Sequence, residues 1–396
     1  MRKILFISKY LSTNKNGFES RLSVLINLFK RNNFQVSAIT SSGSLKKFKF
    51  KNNYGHKKID DVDYFFIKEN IDHSSYSFKR IYSWIKFELG VFSFNYKKIG
   101  FKPDIIYISS LSLFTILNGI YLKKKFKAKL VFEMRDFWPY LLYSNGKFSK
   151  FNPLIIILGI IEKYGIYQSD LIISLIPRIR PYLKYRGFSN KNAFASTFPV
   201  KKNFFLIKKF FKINLNKKKF NICYAGNFGF DNYLDNLLNL ISKVKSKLFV
   251  FHFFGNGSQK EIIKKNFSHL DNVKFYEYVD HNDLHSVLTR MDSLVVSFGF
   301  NDKYPLFGYE LNKLNNYIMA TKPILVVGKK GNLLKNRGKF IFVNKNNSII
   351  FEKKLLFIKM KYNFFLKVAK MNKKKLLIRN NPTVIFNETA KHLKNL

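Results

Sequence analysis

Short apolar runs punctuate this chain, and most give way to a polar or glycine-bearing loop and then to residues at helical spacing. Residues 4–8 are the first run. A polar stretch with Gly17 follows, and Leu22, Leu25, Ile26 and Phe29 then recur along 19–30 as one face of a helix. Residues 36–40 are the next run. Short, mostly apolar runs read as buried strands, and the order strand, glycine-containing loop, helix, strand opens a doubly wound α/β domain. Runs at 105–108, 129–133 and 171–174 continue it, the last after a helix that begins near Asn152. Around 197–219, Pro199 and runs of lysine break the rhythm. A second α/β set then starts, with strands at 221–225, 249–254, 273–276, 293–297 and 324–327 and helices at 235–245 and around Leu284, Val287 and Leu288. The tail, 388–396, reads as a short helix. Residues 44–100 are less regular, basic and aromatic. The lysine-rich stretches at 123–129, 208–219 and 353–374 read as solvated faces.

The 396 residues suffice for about two domains, and a 46% hydrophobic, 17% aromatic composition gives each a core, which excludes a disordered chain. A single cysteine, Cys223, excludes a disulfide scaffold and any cysteine-rich metal site, and fits a reducing compartment. Lysine and arginine exceed acidic residues by 71 to 24, a net charge of +47. Such a surface suits polyanions, whether nucleic acid or an anionic membrane face. A second reading stands beside it: Lys, Asn, Ile, Phe and Tyr all have AT-rich codons, so codon bias alone accounts for much of the excess. The basic start is followed by too short an apolar run for a signal peptide, and residues 153–161 are too few to span a bilayer. The expectation is a cytoplasmic chain, able to sit peripherally on the inner face of the cytoplasmic membrane. There the segment 148–167, which mixes apolar, basic and aromatic residues, is a candidate for docking.

Open parallel sheets bind ligands at the carboxyl ends of their strands, so the residues after each strand are the candidates. In the first half these are Gly17-Phe18-Glu19 and the stretch from Glu133 through Arg135, Asp136 and Trp138 to Pro139. In the second half they are Gly226-Asn227-Phe228-Gly229, Gly255-Asn256-Gly257 and residues 308–314. Glycines there let backbone approach a phosphate, and the following helix start offers N–H donors. Each loop alone is equally an ordinary tight turn. Arg135-Asp136 is either an ion pair capping a strand or a charged pair at a ligand. Lys313 near a helix start is a phosphate partner by chemistry and one more surface lysine by composition. Asp61-Val62-Asp63 lies in a polar, loop-like stretch without a nucleotide loop around it, and no histidines show paired metal spacing.

The order MRKILFIS, NGFESR, KPDIIYISS, VFEMRDFWP, NICYAGNFG, FHFFGNGSQKE, NVKFYEYV and NKLNNYIMATKPI resembles the GT-B glycosyltransferases of family 4. Within them it is most similar to the amino-sugar transferases of bacterial surface polysaccharide (capsule, O-antigen). The resemblance implies two Rossmann-like doubly wound parallel-sheet domains facing a central cleft. These would be an acceptor-side domain at 1–198, a linker at 199–219, a nucleotide-sugar domain at 220–376, and a C-terminal helix at 377–396 crossing back to the first. It implies a retaining hexosyl- or N-acetylhexosaminyl-transferase that takes sugar from a nucleotide donor, UDP-linked in the leading case. The acceptor would be a polysaccharide or lipid-linked saccharide. No cofactor and no metal is implied, because fixed basic groups and helix N-termini would stabilise the departing diphosphate.

Residue by residue, the resemblance gives Arg135 and Asp136 catalytic roles and puts Glu19 and Trp138 on the acceptor side. Gly17, Gly226, Asn227, Gly255, Asn256, Glu310, Asn312, Lys313 and Asn316 would bind the donor. The chain also departs from the family pattern. The Glu-x7-Glu carboxylates of many relatives fall on Gly308 and Asn316, the lysine after the glycine loop falls near Asn232, and Leu311 and Thr321 replace a proline and a glycine. Two other functions remain open at this point. A nucleic-acid-binding protein would follow from the charge, and a nucleotide-sugar epimerase would share the architecture.

Overall fold

The computed structural model describes residues 1–12, 20–44, 54–69, 78–110, 112–144, 148–201, 205, 212–300, 307, 311–328, 334 and 337–396. The chain divides into two compact units. Unit 1 comprises Met1–Pro199, Pro305–Glu310 and Pro382–Leu396; unit 2 comprises Val200–Tyr304 and Leu311–Asn381.

In unit 1 the elements run β1 (Lys3–Ile7), α1 (Arg21–Arg31), β2 (Gln35–Ser41), β3 (Tyr54–Ile59), β4 (Val62–Ile67), α2 (Phe78–Phe92), β5 (Ile105–Ser110), α3 (Thr115–Phe126), β6 (Lys129–Met134), α4 (Tyr140–Ser144), α5 (Pro153–Gln168), β7 (Leu171–Ser174), α6 (Ile179–Arg186) and β8 (Ala193–Ala195). Their sheet has the order β3-β4-β2-β1-β5-β6-β7-β8. All neighbours are parallel except the β3–β4 hairpin. Alternate side chains of β1 go to opposite layers, as a pleated strand requires. Leu5 and Ile7 join the layer of α2, α3 and α5, whereas Ile4 and Phe6 join that of α1 and the C-terminal helix. Connections from β4 rightward across the sheet put their helices on one face, and the reversed β1–β2 connection puts α1 on the other.

Unit 2 runs β9 (Phe220–Ala225), α7 (Leu234–Ile241), β10 (Phe249–Phe254), α8 (Lys260–Phe267), β11 (Val273–Tyr276), α9 (His281–Arg290), β12 (Ser293–Ser297), α10 (Asn312–Met319), β13 (Ile324–Val327), β14 (Ile341–Val343), α11 (Ser348–Met360) and α12 (Tyr362–Arg379). The all-parallel order is β11-β10-β9-β12-β13-β14. The last helix, α13 (Pro382–Lys394), belongs to unit 1 and packs on α1, with Phe29 and Phe386 edge-to-face at 4.9 Å. It begins six residues before the short helix read at 388–396 and five after the boundary at 377 that the resemblance implies.

One region departs from the sequence reading, and one is filled in by the structure. The irregular stretch at 44–100 contains the β3–β4 hairpin and α2. Its turn residues Asp60 and Asp61 both have positive φ (50° and 61°), a conformation in which aspartate is tolerated better than most residues. Asp63 lies in β4 and bonds His56 across the hairpin at 2.8 Å, so the Asp61–Asp63 stretch has a structural account. The stretch at 353–374 is a solvated face as read: its lysines decorate α11, whose inner residues Phe351, Leu355 and Ile358 are fully buried, and α12, which buries Ala369 and Leu376.

Candidate functional site

Strand order reverses in the second sheet between β9 and β12, because β10 and β11 lie to one side of β9 and β12 to β14 to the other. Ligands of open α/β sheets bind beyond the carboxyl ends of strands at such a point. Here two glycine loops meet. Phe228 N–H donates to the Asn256 carbonyl at 3.0 Å, and Gln259 N–H to the Phe228 carbonyl at 2.9 Å. The approach is so close that a Cβ on Gly255 would lie 1.9 Å from the Gly226 carbonyl oxygen, and one on Gly257 would lie 2.2 Å from Asn227 Oδ1. Both glycines hold positive φ, 140° and 156°, where a side chain is strained in any case. Asn227 and Asn256 are exposed at the tips of these loops.

Helix α10 locks onto the same strand end. The Tyr317 hydroxyl accepts from Ala225 N–H at 2.7 Å and donates to the Ala225 carbonyl at 3.1 Å. Lys313, one turn earlier on that helix face, therefore projects past the end of β9. Its ammonium donates to the Tyr224 hydroxyl at 3.1 Å and to Asn232 Oδ1, and sits 4.8 Å from the Tyr224 ring centroid. The Tyr224 hydroxyl in turn donates to the Asn227 carbonyl at 2.8 Å. Burial pushes the Lys313 ammonium from its usual 10.5 down to about 7. Gly226 lies against the half-buried Lys313, since a Cβ there would come 3.3 Å from Lys313 Nζ. A cation whose described partners are neutral, beside backbone bared by glycine, is suited to an incoming anion such as a diphosphate.

The sequence-predicted residues of unit 2 thus fall into two groups. Gly226, Asn227, Gly255, Asn256 and Lys313 share this strand end, with Asn312 half-buried in the first turn of α10. Asn316 turns instead toward α9 and lines a narrow crevice with Phe205, Leu284 and His285. Glu310 and Gly308 lie outside the described residues, as do Gly17 and Glu19.

In unit 1, Arg135 and Asp136 follow β6 directly and are half-buried. Trp138 packs edge-to-face on Trp84 at 6.0 Å, and the Trp84 indole N–H donates to the Tyr10 hydroxyl at 2.9 Å. Two residues before Arg135 stands a charge that sequence reasoning left unassigned. The Glu133 carboxylate, 1% exposed, takes an ion pair from Arg21, a hydrogen bond from the Tyr107 hydroxyl at 2.5 Å and one from the Ser109 hydroxyl at 2.7 Å. Arg21 also donates to the Thr197 carbonyl and the Ser196 hydroxyl. The cluster ties the start of α1 and the segment after β8 to the C-terminal ends of β5 and β6. Its signal in the sequence is a glutamate inside an apolar strand and an arginine on the apolar face of a helix. A second buried pair, Lys9 with Glu69 at 2.9 Å, shares Ser83 beyond the end of β1.

Among the described residues no group of three or more histidine, cysteine or acidic side chains forms a metal cluster. No family model matches the sequence, and no curated protein does. Solved structures do match, and three of them do so over essentially the whole chain. Sucrose-phosphate synthase from Thermosynechococcus elongatus superposes with a TM-score of 0.73 at 12% identity, over 100% of this chain and 99% of that one. Anabaena HepE, solved with UDP and glucose, gives 0.67 at 11% identity, over 100% of both chains. The lipopolysaccharide outer core galactosyltransferase WaaB gives 0.59 at 14% identity, over 99% of both.

The chain has the GT-B fold. At these identities the likeness extends to the fold alone. Within the GT-B frame, the β9 end carries the Lys313 site and the β6 end carries Arg135 and Asp136.

Proposed function

We propose that this chain is a glycosyltransferase that moves a hexosyl or N-acetylhexosaminyl group from a UDP-linked donor to a surface-polysaccharide or lipid-linked acceptor. The observation that carries the reading is the Lys313 ammonium, held by Tyr224 and Asn232 next to the Gly226 and Gly255 loops at the switch point of the second sheet. Solved proteins of this fold include one in complex with UDP and glucose and one named as a lipopolysaccharide galactosyltransferase, which supports both halves of the proposal. The motif resemblance narrows it to family 4 and the amino-sugar subgroup.

In the proposed reaction the bond from the sugar C1 to the diphosphate oxygen breaks. A glycosidic bond from C1 to the acceptor oxygen forms with retention, the acceptor hydroxyl loses its proton, and UDP departs. Lys313 and the loop N–H groups take up the charge developing on the diphosphate, so the step runs without a metal. Unit 2 holds the donor, with Asn312 as a further contact and Asn316 reaching it from the α9 side; Glu310, in a segment that belongs to unit 1, is the remaining donor contact. Unit 1 holds the acceptor beside Glu19 and Trp138, with Arg135 and Asp136 at the reacting centre and Gly17 against the phosphate. The protein acts at the cytoplasmic face, where lipid-linked acceptors present their sugars.

A thermal-shift series with UDP, GDP, ADP and their sugars tests the donor half. UDP compounds should raise Tm, and Lys313→Ala should abolish the rise. No rise with any of them defeats the reading. Product analysis in EDTA tests the rest: a new glycoside of retained anomeric configuration supports it, and an epimerised nucleotide sugar without acceptor overturns it.

A further inference from the structure

Helices α2, α3 and α5 cover one face of the first sheet, and their outward sides are greasy. Residues inside α5 such as Ile155, Leu158 and Ile166 are buried against the sheet. Its opposite side carries Leu154, Ile157, Ile160 and Tyr167, and the last two are 63% and 68% exposed. A surface helix normally pairs an apolar inner stripe with a polar outer one; α5 is apolar on both. Helix α2 repeats the pattern, with Phe87 and Val91 inside and Ile85, Leu89 and Phe92 exposed. The patches adjoin through α3: Phe92 touches Tyr121 at 4.9 Å between ring centroids, and Gly165 of α5 lets that helix close onto Ile116. An apolar surface spread over three adjacent helices marks an interaction site rather than ordinary scatter.

The charges on this face say what covers it. Every exposed charged side chain described on the three helices is a lysine: Lys79, Lys86, Lys124, Lys125 and Lys163. Lys150 adds another just before α5, over the Phe151 ring at 5.0 Å. The two glutamates of these helices are turned inward. Glu88 bonds Thr115 and Asn118, and Glu162 pairs with Arg186 at 2.6 Å. Apolar and tyrosine side chains with a cation-only fringe match the acyl–headgroup boundary of an anionic leaflet. They match a second copy of this chain poorly, since two such faces would set lysines against lysines. Among the described residues no helix is long and apolar enough to cross a membrane, so the contact is one of lying on the surface.

We infer that the α2–α3–α5 face of unit 1 seats the protein on an anionic lipid bilayer, with the outer residues of α2 and α5 entering the headgroup–acyl boundary. The inference stands independently of the transferase reading and needs no substrate for its test. Because a charge of +47 adsorbs to any anionic vesicle, sedimentation alone is insufficient, and depth must be read. Cys223, the single cysteine, is fully buried, so a cysteine placed by Ile160→Cys or Leu89→Cys takes an environment-sensitive fluorophore selectively. On phosphatidylcholine vesicles containing phosphatidylglycerol, both probes should blue-shift. A probe at the exposed Lys265→Cys of unit 2 should not, and phosphatidylcholine alone should give little shift. The paired change Ile160→Asp with Leu89→Asp should weaken vesicle binding at least tenfold while leaving the circular dichroism spectrum unchanged. Equal responses from all three probes, or binding that salt abolishes and the Asp changes leave untouched, would reduce the contact to charge adsorption and overturn the inference. A dimer in solution that the Asp changes dissociate would overturn it too, in favour of a second copy.

Discussion

Each unit holds a cation beyond the end of a strand, buried in unit 1 and half-buried in unit 2, and the two are solved in opposite ways. Arg21 in unit 1 meets a carboxylate, and Tyr107, Ser109 and Ser196 complete the set. Lys313 in unit 2 meets a phenol and an amide. The first charge is matched inside the fold, so its work is to hold elements together. The second is desolvated without a matching anion among its described partners, so it costs stability until one arrives. The contrast separates a structural charge from a poised one without appeal to position in the sequence.

Breaking one partner of the matched pair should have the largest effect. Glu133→Gln or Arg21→Met strands a buried charge and should destabilise unit 1 by about 3–5 kcal/mol in denaturant unfolding. The double change to apolar residues should recover much of that loss. Equal losses from the single and double changes would show that the pair is not what the ends of α1 and β6 depend on. Lys313→Met should do the reverse of Arg21→Met. Removing an uncompensated charge should raise Tm by roughly 2 °C or more, while UDP affinity should fall about 10- to 100-fold, the worth of a charge-assisted contact. A lysine variant that loses stability as the arginine variant does would erase the distinction between the two sites.

Gly255→Ala offers a sharper, local version. Its Cβ would strike the Gly226 carbonyl, so the two loops must part by more than an ångström. We expect a loss of about 1–3 kcal/mol together with weakened UDP binding. A variant that kept full stability and lost only UDP affinity would show that the loops separate freely and that their contact serves the ligand alone.

How far these features were legible depends on what they are made of. Buried parallel strands are apolar at nearly every position, so runs such as 4–8, 221–225 and 324–327 stood out. The β3–β4 hairpin did not, because its turn is built by Asp60 and Asp61 and carries no glycine signal. Helices α11 and α12 hid beneath their lysines, although Phe351, Leu355 and Ile358 kept helical spacing underneath in α11. At the site, the glycine loops were visible as loops, but their meeting depends on pairing between β9 and β10, which spacing does not encode. Lys313 was one lysine among many until a resemblance singled it out, and its partner Tyr224 looked like one more apolar strand residue. Glu133 was the reverse case: a charge inside an apolar strand was in plain view, and its meaning needed Arg21 brought beside it from the other end of the domain.

The smallest effect is the most diagnostic, because it moves stability and binding in opposite directions with pH. In the ligand-free protein the Lys313 ammonium is held down to about 7 by burial, against 10.5 for an exposed lysine. Between those values the unfolded chain binds the proton and the folded one does not, so stability should rise with pH across that window. A bound diphosphate favours the ammonium and raises its pKa, so binding above about pH 7 must take up a proton. UDP affinity should then fall by up to about tenfold per pH unit above 7 until the raised value of the complex is passed. Titration calorimetry in buffers of different ionisation enthalpy counts that proton directly. Proton uptake near zero at pH 8, or the same pH dependence in Lys313→Met, would show that the Lys313 ammonium is not what meets the diphosphate.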